Sequence, residues 1–264
     1  MPKPESEIAL LWSDQHRPHH DRRAVNLILD FVRQWERPFD QHIIIGDLAD
    51  CGGVSHFNRR RFLTKIENQM GEGFDSCNEF LDELANASPD AKTIYIEGNH
   101  EYWLTQYMDS HPQLAGVLGL SRNLGLKQRG IQLVPYEEQR YRPYRLGKLQ
   151  VVHGWYANQH HAAKTAQEAT GSIVYGHTHD MQAASKKSQD GSRHMAWSIG
   201  HLMNERSKAA RYLRQPTNWV RGFAIVEWNK QHFNITQIPL VDYQFFYDGF
   251  LWGRNKVVKR GKES

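Results

Sequence analysis

The chain has 264 residues and a formal net charge of +4, and its 39% hydrophobic and 23% charged content excludes wholesale disorder. It contains no apolar run near the roughly 18 residues of a transmembrane helix, and its N-terminal segment, MPKPESE, lacks the apolar stretch of a secretory signal. The two cysteines, Cys51 and Cys77, have no metal-type spacing and indicate a reducing compartment. We therefore expect a cytoplasmic protein that has no membrane partner.

Short apolar runs alternate with helical patterns through the first hundred residues. Residues 8–12 and 42–45 predict buried strands, and a third strand is predicted at 93–97. Between them, residues 22–36 have apolar side chains at the i, i+3, i+4 and i+7 spacing of an amphipathic helix, and residues 57–88 are predicted to be mainly helical. Strands that alternate with helices predict βαβ units and a parallel sheet.

The second half of the chain is predicted to consist mostly of short strands. They lie at 131–134, 140–146, 148–153, 172–176, 181–187, 193–199, 221–228 and 232–238, with one helix near 160–170. We therefore expect two sheets packed face to face with helices outside, all within one domain that spans 1–240. Residues 241–264 are predicted to form an aromatic and basic arm that wraps back onto this domain.

Polar side chains follow five of the predicted strands, at the point where each strand ends. The residues able to bind a metal there are Asp14, His16, Asp47, Asn99, His153, His177 and His179. A histidine or aspartate at one strand end is more often structural, but five successive clusters are hard to attribute to chance. Because ligands bind at the carboxyl ends of strands in α/β sheets, loops there would bring these residues together.

The stretch GNHEYW, residues 98–103, contains one of these clusters. A structural interpretation is available, in which Gly98 and Asn99 form a turn and Glu101 suits the first turn of a helix. That interpretation leaves His100 unexplained. The nitrogen and oxygen donors, without thiolate, fit borderline ions such as Mn²⁺, Fe²⁺ or Zn²⁺. A carboxylate that bridges two such ions is a common arrangement for the hydrolysis of phosphate esters.

The sequence resembles the calcineurin-like metallophosphoesterases, and in particular small phage- and prophage-type members of that superfamily. The resemblance rests on Asp14-Gln15-His16, Gly46-Asp47-Leu48-Ala49-Asp50, Gly98-Asn99-His100-Glu101, His153 and Gly176-His177-Thr178-His179. It covers residues 8 to about 240 and implies a four-layer αββα sandwich of two mixed sheets with flanking helices.

The resemblance also implies a role for each matching residue. Two divalent ions are expected, with Mn²⁺ preferred over Fe, Zn or Ni. By analogy, the first ion is held by Asp14, His16 and His179, the second by Asn99, His153 and His177, and Asp47 bridges the two. A hydroxide between the ions would attack phosphorus. His100 would be the catalytic acid, and Asp50 would orient it.

Other residues near the motifs have both a functional and a structural interpretation. Candidates for substrate contact are His19, His20, Asp21, Arg59–Arg61, His201, Asn204, Arg206, Trp103, Trp155 and Tyr156. Each is also explained by surface exposure, helix formation or core packing. The basic segments 204–214 and 254–264 would suit a polyanion, although such clusters are common on solvated surfaces.

Three functions are consistent with these residues. The first is a metal-dependent phosphodiesterase acting on nucleic acid or nucleotide substrates. The second is a phosphomonoesterase, including a protein phosphatase, but the arginine that such phosphatases place after the second motif is replaced here by Cys51. The third is a non-catalytic scaffold, which would be expected to have lost ligands or His100. Protein partners are not indicated by the sequence.

Overall fold

The computed structural model describes residues 5–55, 63–187, 189, 191–207, 210, 217–253 and 258–259, and the side chains of 63–69 and 258–259 are outside this description. The strands are β1 (Glu7–Trp12), β2 (Gln41–Ile45), β3 (Lys92–Ile96), β4 (Gln132–Val134), β5 (Tyr144–Leu146), β6 (Leu149–Val152), β7 (Ile173–Tyr175), β8 (Ala183–Lys187), β9 (Arg193–Ser198), β10 (Gly222–Trp228), β11 (Phe233–Pro239), β12 (Phe245–Tyr247), β13 (Phe250–Trp252) and β14 (Val258–Lys259). The α-helices are α1 (Arg22–Gln34), α2 (Leu63–Ala87), α3 (Asn99–Ser110), α4 (Ala115–Leu118), α5 (Leu120–Asn123) and α6 (His161–Glu168).

The strands form two large mixed sheets and one small one. The first sheet has six strands in the order β11-β10-β1-β2-β3-β4, with β1 to β4 parallel and β10 and β11 antiparallel. The second has five strands in the order β5-β6-β7-β9-β8, in which β6, β7 and β9 are parallel. The βαβ units predicted in the first half of the chain are therefore confirmed.

Three apolar clusters separate the layers. Ile8, Leu10 and Trp12 of β1 face the core beneath α1 and α2, whereas Ala9 and Leu11 face the core between the two sheets. Because both faces of β1 are covered, the strand is apolar throughout rather than alternating.

The third cluster lies on the far side of the second sheet. Val152, Ile173 and Tyr175 pack there against Ala166 of α6. Helices, sheet, sheet and helix therefore stack in that order, which confirms the four-layer αββα sandwich.

Two differences from the predicted elements have local causes. The strand expected at 140–146 begins only at Tyr144, and Tyr136–Arg140 forms a 3-10 turn instead. Pro143 has no backbone N–H to donate to the sheet, so the strand cannot extend through it. The short helices α4 and α5 were not predicted. Of the helix expected at 57–88, residues 57–62 lie outside the described residues.

The described part of the C-terminal arm folds back onto α1. The rings of Phe245 and Trp252 are buried, with centroids 5.4 and 4.8 Å from that of Phe31 on α1. This packing follows the aromatic character of the segment, since burying large rings contributes strongly to a core. None of the helices in the described ranges has the length and apolar character needed to cross a bilayer.

Candidate metal centre

All seven predicted metal ligands lie at the carboxyl ends of the parallel strands, where the two sheets meet. Backbone contacts fix this arrangement: His16 N donates to Asp47 O at 2.8 Å, and Gly176 N donates to His153 O at 2.9 Å. Across the sheets, His177 N donates to the Asp14 carboxylate at 3.1 Å. The sheet topology thus joins residues that are up to 165 positions apart in the sequence.

Two groups of side chains have converging donor atoms. In the first, Asp14, His16 and His179 each offer an atom within 4.8 Å of the others, and all three residues are buried. Nε2 of His179 lies 3.0 Å from Nε2 of His16 and 3.4 Å from the Asp14 carboxylate. These three are the residues predicted to hold the first ion.

The second group contains Asp47, His153 and His177. Nε2 of His153 lies 3.4 Å from the Asp47 carboxylate and 3.0 Å from Oδ1 of Asn99. Nδ1 of His153 is 2.8 Å from the carbonyl oxygen of Ile45, which therefore accepts its N–H. That hydrogen bond leaves Nε2 facing the group, as is usual for a metal-binding histidine.

Asp47 lies between the two groups. Its Oδ2 atom is 3.4 Å from His153 Nε2 and 3.7 Å from His16 Nε2. Its Oδ1 atom accepts a hydrogen bond from His100 N at 2.9 Å. This position is the one that a bridging ligand requires.

The backbone at these ligands adopts the left-handed region, which is uncommon for residues other than glycine. Eight non-glycine residues in the described ranges have positive φ, and five of them are predicted ligands: Asp14, His16, Asp47, His177 and His179. Aspartate and histidine enter this region more readily than most residues, but each such position still has a cost. Strain concentrated on one set of residues points to a function for that set.

Gly98 has a steric role that goes beyond the predicted turn. A Cβ atom there would overlap the backbone nitrogen and the carboxylate of Asp47. Only glycine allows the third motif to approach the second this closely.

Burial and neighbouring charges divide the imidazoles into two kinds. Burial lowers the pKa of His177 and His179 to about 4, so both rings are neutral and able to bind a cation. Burial also opposes a charge on His16 and His153, but neighbouring carboxylates outweigh it and raise their pKa to about 9 and about 10.

The two aspartates of the groups have pKa values below the ordinary range. Burial would raise the pKa of Asp14 and of Asp47, but the adjacent imidazoles outweigh it, with His179 the main partner of Asp14 and His153 that of Asp47. In the centre, the carboxylates therefore lie beside two protonated imidazoles, those of His16 and His153, and two neutral ones, those of His177 and His179.

Asp50 contacts more histidines than the sequence predicted. Its Oδ1 atom is 2.8 Å from Nδ1 of His100, as expected of a residue that orients His100, but it is also 3.4 Å from Nδ1 of His16. Its Oδ2 atom is 3.6 Å from Nε2 of His19. Burial would raise the pKa of Asp50, but the neighbouring imidazoles of His100 and His16 have a larger effect, so its pKa lies well below the ordinary value.

His100 lies beside the centre with its side chain 20% exposed, and its Nε2 atom is 3.9 Å from the Asp47 carboxylate. Its ring packs on Trp103 at a centroid distance of 4.1 Å. His16, Asp47 and His100 also form a third group whose atoms converge within 4.8 Å. The geometry is therefore compatible with His100 as an acid or as a ligand, and its role as the acid stays a prediction.

Glu101 is the main structural residue that the sequence analysis did not recognise. Its fully buried carboxylate accepts hydrogen bonds from the backbone N–H of Asp47 at 3.0 Å, Ala49 at 2.9 Å and Gly98 at 3.0 Å. It also accepts one from the Tyr95 hydroxyl at 2.8 Å. Glu101 thus joins the second and third motifs, in addition to its position in the first turn of α3.

Several other candidate residues are explained by structure. Asp21 accepts a hydrogen bond from Ala24 N at the start of α1 and pairs with Arg221 at 3.0 Å. His20 is buried beneath the surface. Asn204 and Arg206 form an exposed turn in which the Asn204 side chain accepts the Arg206 N–H. Arg59–Arg61 lie outside the described residues.

Three further candidates remain close to the centre or its edge. His201 is buried and its ring stacks against His179, 5.2 Å away and nearly parallel. His19 contacts Asp50, as described above. Trp155 is half-buried against the cluster beneath α6 and has the Arg140 guanidinium over its ring at 5.0 Å. Tyr156 donates its hydroxyl hydrogen to Glu168.

Cys51 is buried next to Asp50. Burial raises the pKa of its thiol well above the ordinary value, which disfavours the thiolate that a nucleophile requires. The side chain packs in the core beneath the helices, so it is a filler of that core.

The donor set fits divalent metal ions. The converging atoms are imidazole nitrogens, carboxylate oxygens and one amide oxygen, a set that borderline ions prefer. Among the described residues, three groups of histidine and aspartate donors converge, and all three belong to this centre. The chain thus has buried His and Asp groups suited to a metal.

Comparison with known proteins gives distant relatives. The chain is 24% identical over 272 residues to the Gene 54 protein of Mycobacterium phage L5, an alignment that covers 94% of this chain and 99% of the phage protein. It is 24% identical over 268 residues to the Gene 54 protein of Mycobacterium phage D29, with the same coverage. No protein-family model matches the chain.

Two solved structures are similar over most of their length. Vacuolar Protein Sorting 29 from Cryptosporidium parvum aligns over 92% of this chain and 96% of its own, with 12% identity and a TM-score of 0.48. Vps29 of Chaetomium thermophilum, complexed with a cyclic peptide, aligns over 90% of this chain and 89% of its own, with 10% identity and a TM-score of 0.44.

Proposed function

We propose that the protein is a metal-dependent phosphodiesterase of the calcineurin-like type, acting on nucleic acid or nucleotide substrates. One observation carries the proposal: six of the seven predicted ligands converge in two groups, and the seventh, Asn99, lies 3.0 Å from His153. Five of the seven also have strained left-handed backbone. A two-ion site in which a carboxylate lies between the ions is suited to phosphate-ester hydrolysis.

The residues assigned to each ion follow from the two groups. Asp14, His16 and His179 would hold one ion, and His153, His177 and Asn99 the other, with Asp47 shared. Bound there, two divalent ions would lower the pKa of a water molecule and neutralise charge on a phosphate ester. Mn²⁺ is the expected ion.

The chain itself supplies proton transfer and orientation. The His100 side chain is 20% exposed, its Nε2 atom lies 3.9 Å from the Asp47 carboxylate, and its Nδ1 atom lies 2.8 Å from the Asp50 carboxylate. A protonated His100 would donate its Nε2 proton to the departing oxygen of the ester, and the Asp50 carboxylate would hold the ring in that orientation. The same carboxylate faces Nδ1 of His16 and so also orients a ligand.

The preference for diesters rests on charge. A monoester dianion carries one more negative charge than a diester and needs an additional cation beside the metal ions. The position after Asp50, where phosphatases of this superfamily have an arginine, is the buried and neutral Cys51. A diester needs no such cation, so the centre favours it.

Hydrolysis of bis-p-nitrophenyl phosphate and of p-nitrophenyl phosphate by the Mn²⁺-loaded protein tests this function. We expect a larger kcat/KM for the diester. A much larger value for the monoester would favour a phosphomonoesterase instead. A protein that binds two ions per chain and hydrolyses neither ester would be a non-catalytic scaffold.

The nucleic-acid part of the proposal needs a separate measurement. Single-stranded DNA should be cleaved at low salt, and binding through basic side chains should weaken as the salt concentration rises. Cleavage of the model diester without cleavage of DNA would restrict the substrate to small nucleotide diesters.

A further inference from the structure

Two aromatic side chains flank the candidate centre at opposite ends. Trp219 packs edge-on against His179, a member of the first group, with ring centroids 4.2 Å apart. Tyr136 lies beside His153, a member of the second group, at a centroid distance of 6.2 Å. The two rings therefore contact different groups of the centre.

Trp219 is held in place by backbone contacts to two neighbouring loops. The next residue, Val220, donates its N–H to His179 O at 2.8 Å and accepts the N–H of His201 at 3.1 Å. The indole also lies 5.2 Å from the His201 ring. Trp219 is nevertheless only partly buried.

Tyr136 is equally fixed at the other end. Its N–H donates to the Glu97 carboxylate at 2.8 Å, and its hydroxyl lies 3.4 Å from Gly154 O. Its ring stacks on that of Tyr102 with centroids 5.2 Å apart and an interplanar angle of 27°. Both rings are half-exposed, so they form a two-ring surface beside His153.

The charges near these rings disfavour a further phosphate group. The Tyr136 end carries the carboxylates of Glu97 and Glu137, which bond to Tyr136 N and to the Tyr102 hydroxyl. The Trp219 end carries Glu205, which lies 3.5 Å from His201 and pairs with Arg221 at 3.3 Å, so that cation is already engaged. An uncharged flat group suits both ends better than a second anion would.

We propose that Trp219 and Tyr136 form two base-stacking subsites, so that the substrate is a single-stranded nucleic acid or dinucleotide with an unpaired base on each side of the cleaved phosphate. This inference rests on the proposed phosphodiesterase function. A diester extends on both sides of phosphorus, and each side would meet one aromatic surface. Stacking of this kind tolerates every base, since all bases have a flat π-face.

The test compares a diester that has two bases with one that has none. The substrates are dithymidine monophosphate and dimethyl phosphate, an aliphatic diester that has no flat group, with Mn²⁺ present. We expect Trp219→Leu and Tyr136→Leu each to lower kcat/KM for the dinucleotide by about 5- to 100-fold, the range found for loss of one stacked base. Hydrolysis of the base-free diester and the number of bound ions should change little.

Matched variants separate stacking from packing. Trp219→Phe and Tyr136→Phe keep a ring and should recover most of the dinucleotide activity. If a leucine variant lowers both substrates by the same factor, the ring only supports its neighbouring histidine and the inference is wrong. It is equally wrong if the dinucleotide activity is unchanged. If only one of the two positions matters, the substrate has a single base, as in a cyclic nucleotide.

The outcome can be distinguished from failure of the proposed function. If the wild-type protein does not hydrolyse bis-p-nitrophenyl phosphate, the phosphodiesterase proposal fails. Calorimetric titration with dithymidine monophosphate then still tests the subsites, because binding to the wild-type protein should be lost in Trp219→Leu and Tyr136→Leu. Binding that is equal in all three proteins would overturn the subsites on their own.

Discussion

Replacement of Glu101 by glutamine is the most informative single change outside the ligands. In the native protein, one carboxylate oxygen accepts from Ala49 N and the Tyr95 hydroxyl, and the other accepts from Asp47 N and Gly98 N. All four donors are held in a site that is closed to water. Glutamine keeps one accepting oxygen but turns an NH₂ group towards the other pair of donors.

The expected cost follows from the two donors that lose their acceptor. A buried donor left without a partner costs about 1–3 kcal/mol, so Glu101→Gln should lower the free energy of unfolding by about 2–6 kcal/mol. For a domain of this size, that corresponds to a decrease in Tm of roughly 5–20 °C. Since Asp47 N is one of the donors, the loop that carries the central carboxylate should shift as well. The affinity for Mn²⁺ should then fall by roughly 10- to 100-fold, as is usual when a residue that supports a ligand is changed.

Urea unfolding without metal and calorimetric titration with Mn²⁺ measure the two effects separately. Glu83→Gln is the matched control, because it makes the same change at an exposed position of α2 and should alter neither quantity. Tyr95→Phe removes one donor but leaves no donor unpaired, so it should cost only about 1 kcal/mol and preserve Mn²⁺ affinity. If Glu101→Gln unfolds like the Glu83→Gln control and binds Mn²⁺ normally, Glu101 does not hold the two motifs together.

Four further predictions address the centre and its surroundings. Asp47→Ala should lose most bound metal and nearly all hydrolysis. If metal analysis finds two ions per chain in this variant and its turnover is near normal, Asp47 does not bridge the ions. His100→Asn should keep its bound metal, but its turnover should fall by roughly 10²- to 10⁴-fold. The decrease should be smaller for esters whose leaving group needs no proton. Loss of metal would instead identify His100 as a ligand. The pKa values of His16 and His153 are raised to about 9 and about 10, so Mn²⁺ binding at pH 7 should release protons from these rings. The affinity for Mn²⁺ should therefore rise as the pH increases towards 9. Calorimetric titration in buffers of different ionisation enthalpy measures the protons released, and a value of zero would refute the prediction. Burial raises the pKa of Glu97 from 4.5 to about 7, so the folded state holds this proton more tightly than the unfolded state does. The unfolding free energy of the wild-type protein, relative to that of Glu97→Gln, should therefore fall by about 3 kcal/mol between pH 4.5 and 8. A difference that stays constant over this range would contradict the raised pKa.

The sequence contained enough information to predict the layers and to select the ligands. Apolar runs such as 8–12 indicate strands that are covered on both faces. Each strand ends at the first polar residues after its run, where the chain enters a loop. Because parallel strands place their carboxyl ends at one edge, the order of Asp14, Asp47 and Asn99 along the chain is enough to predict that they meet.

Contacts that depend on tertiary structure were not predictable in this way. The periodicity of α3 shows that Glu101 lies in its first turn, but not that its carboxylate accepts hydrogen bonds from the second motif. The same holds for Asp50, whose proximity to His16 and His19 depends on how two loops fold over each other. Trp219 follows no motif, and only the pairing of Val220 with His179 and His201 brings it to the centre.

The strained backbone and the position of His100 support different parts of the functional argument. Five left-handed residues at roughly 1 kcal/mol or more each amount to a large part of the about 5–15 kcal/mol that stabilises a typical domain. Such a concentration persists only where surrounding contacts fix it, as Glu101 and the close approach at Gly98 do here. This strain favours metal binding, but a metal-binding scaffold would show it too. His100 and Asp50 are the residues for which the two cases predict different roles. His100 lies in the first turn of α3 with its side chain 20% exposed, and its two ring nitrogens lie 3.9 Å from the Asp47 carboxylate and 2.8 Å from the Asp50 carboxylate. Under the proposed phosphodiesterase function this imidazole protonates the departing oxygen, whereas a scaffold gives the position no such role. Loss of turnover with metal retained in His100→Asn is therefore the result that favours the enzyme.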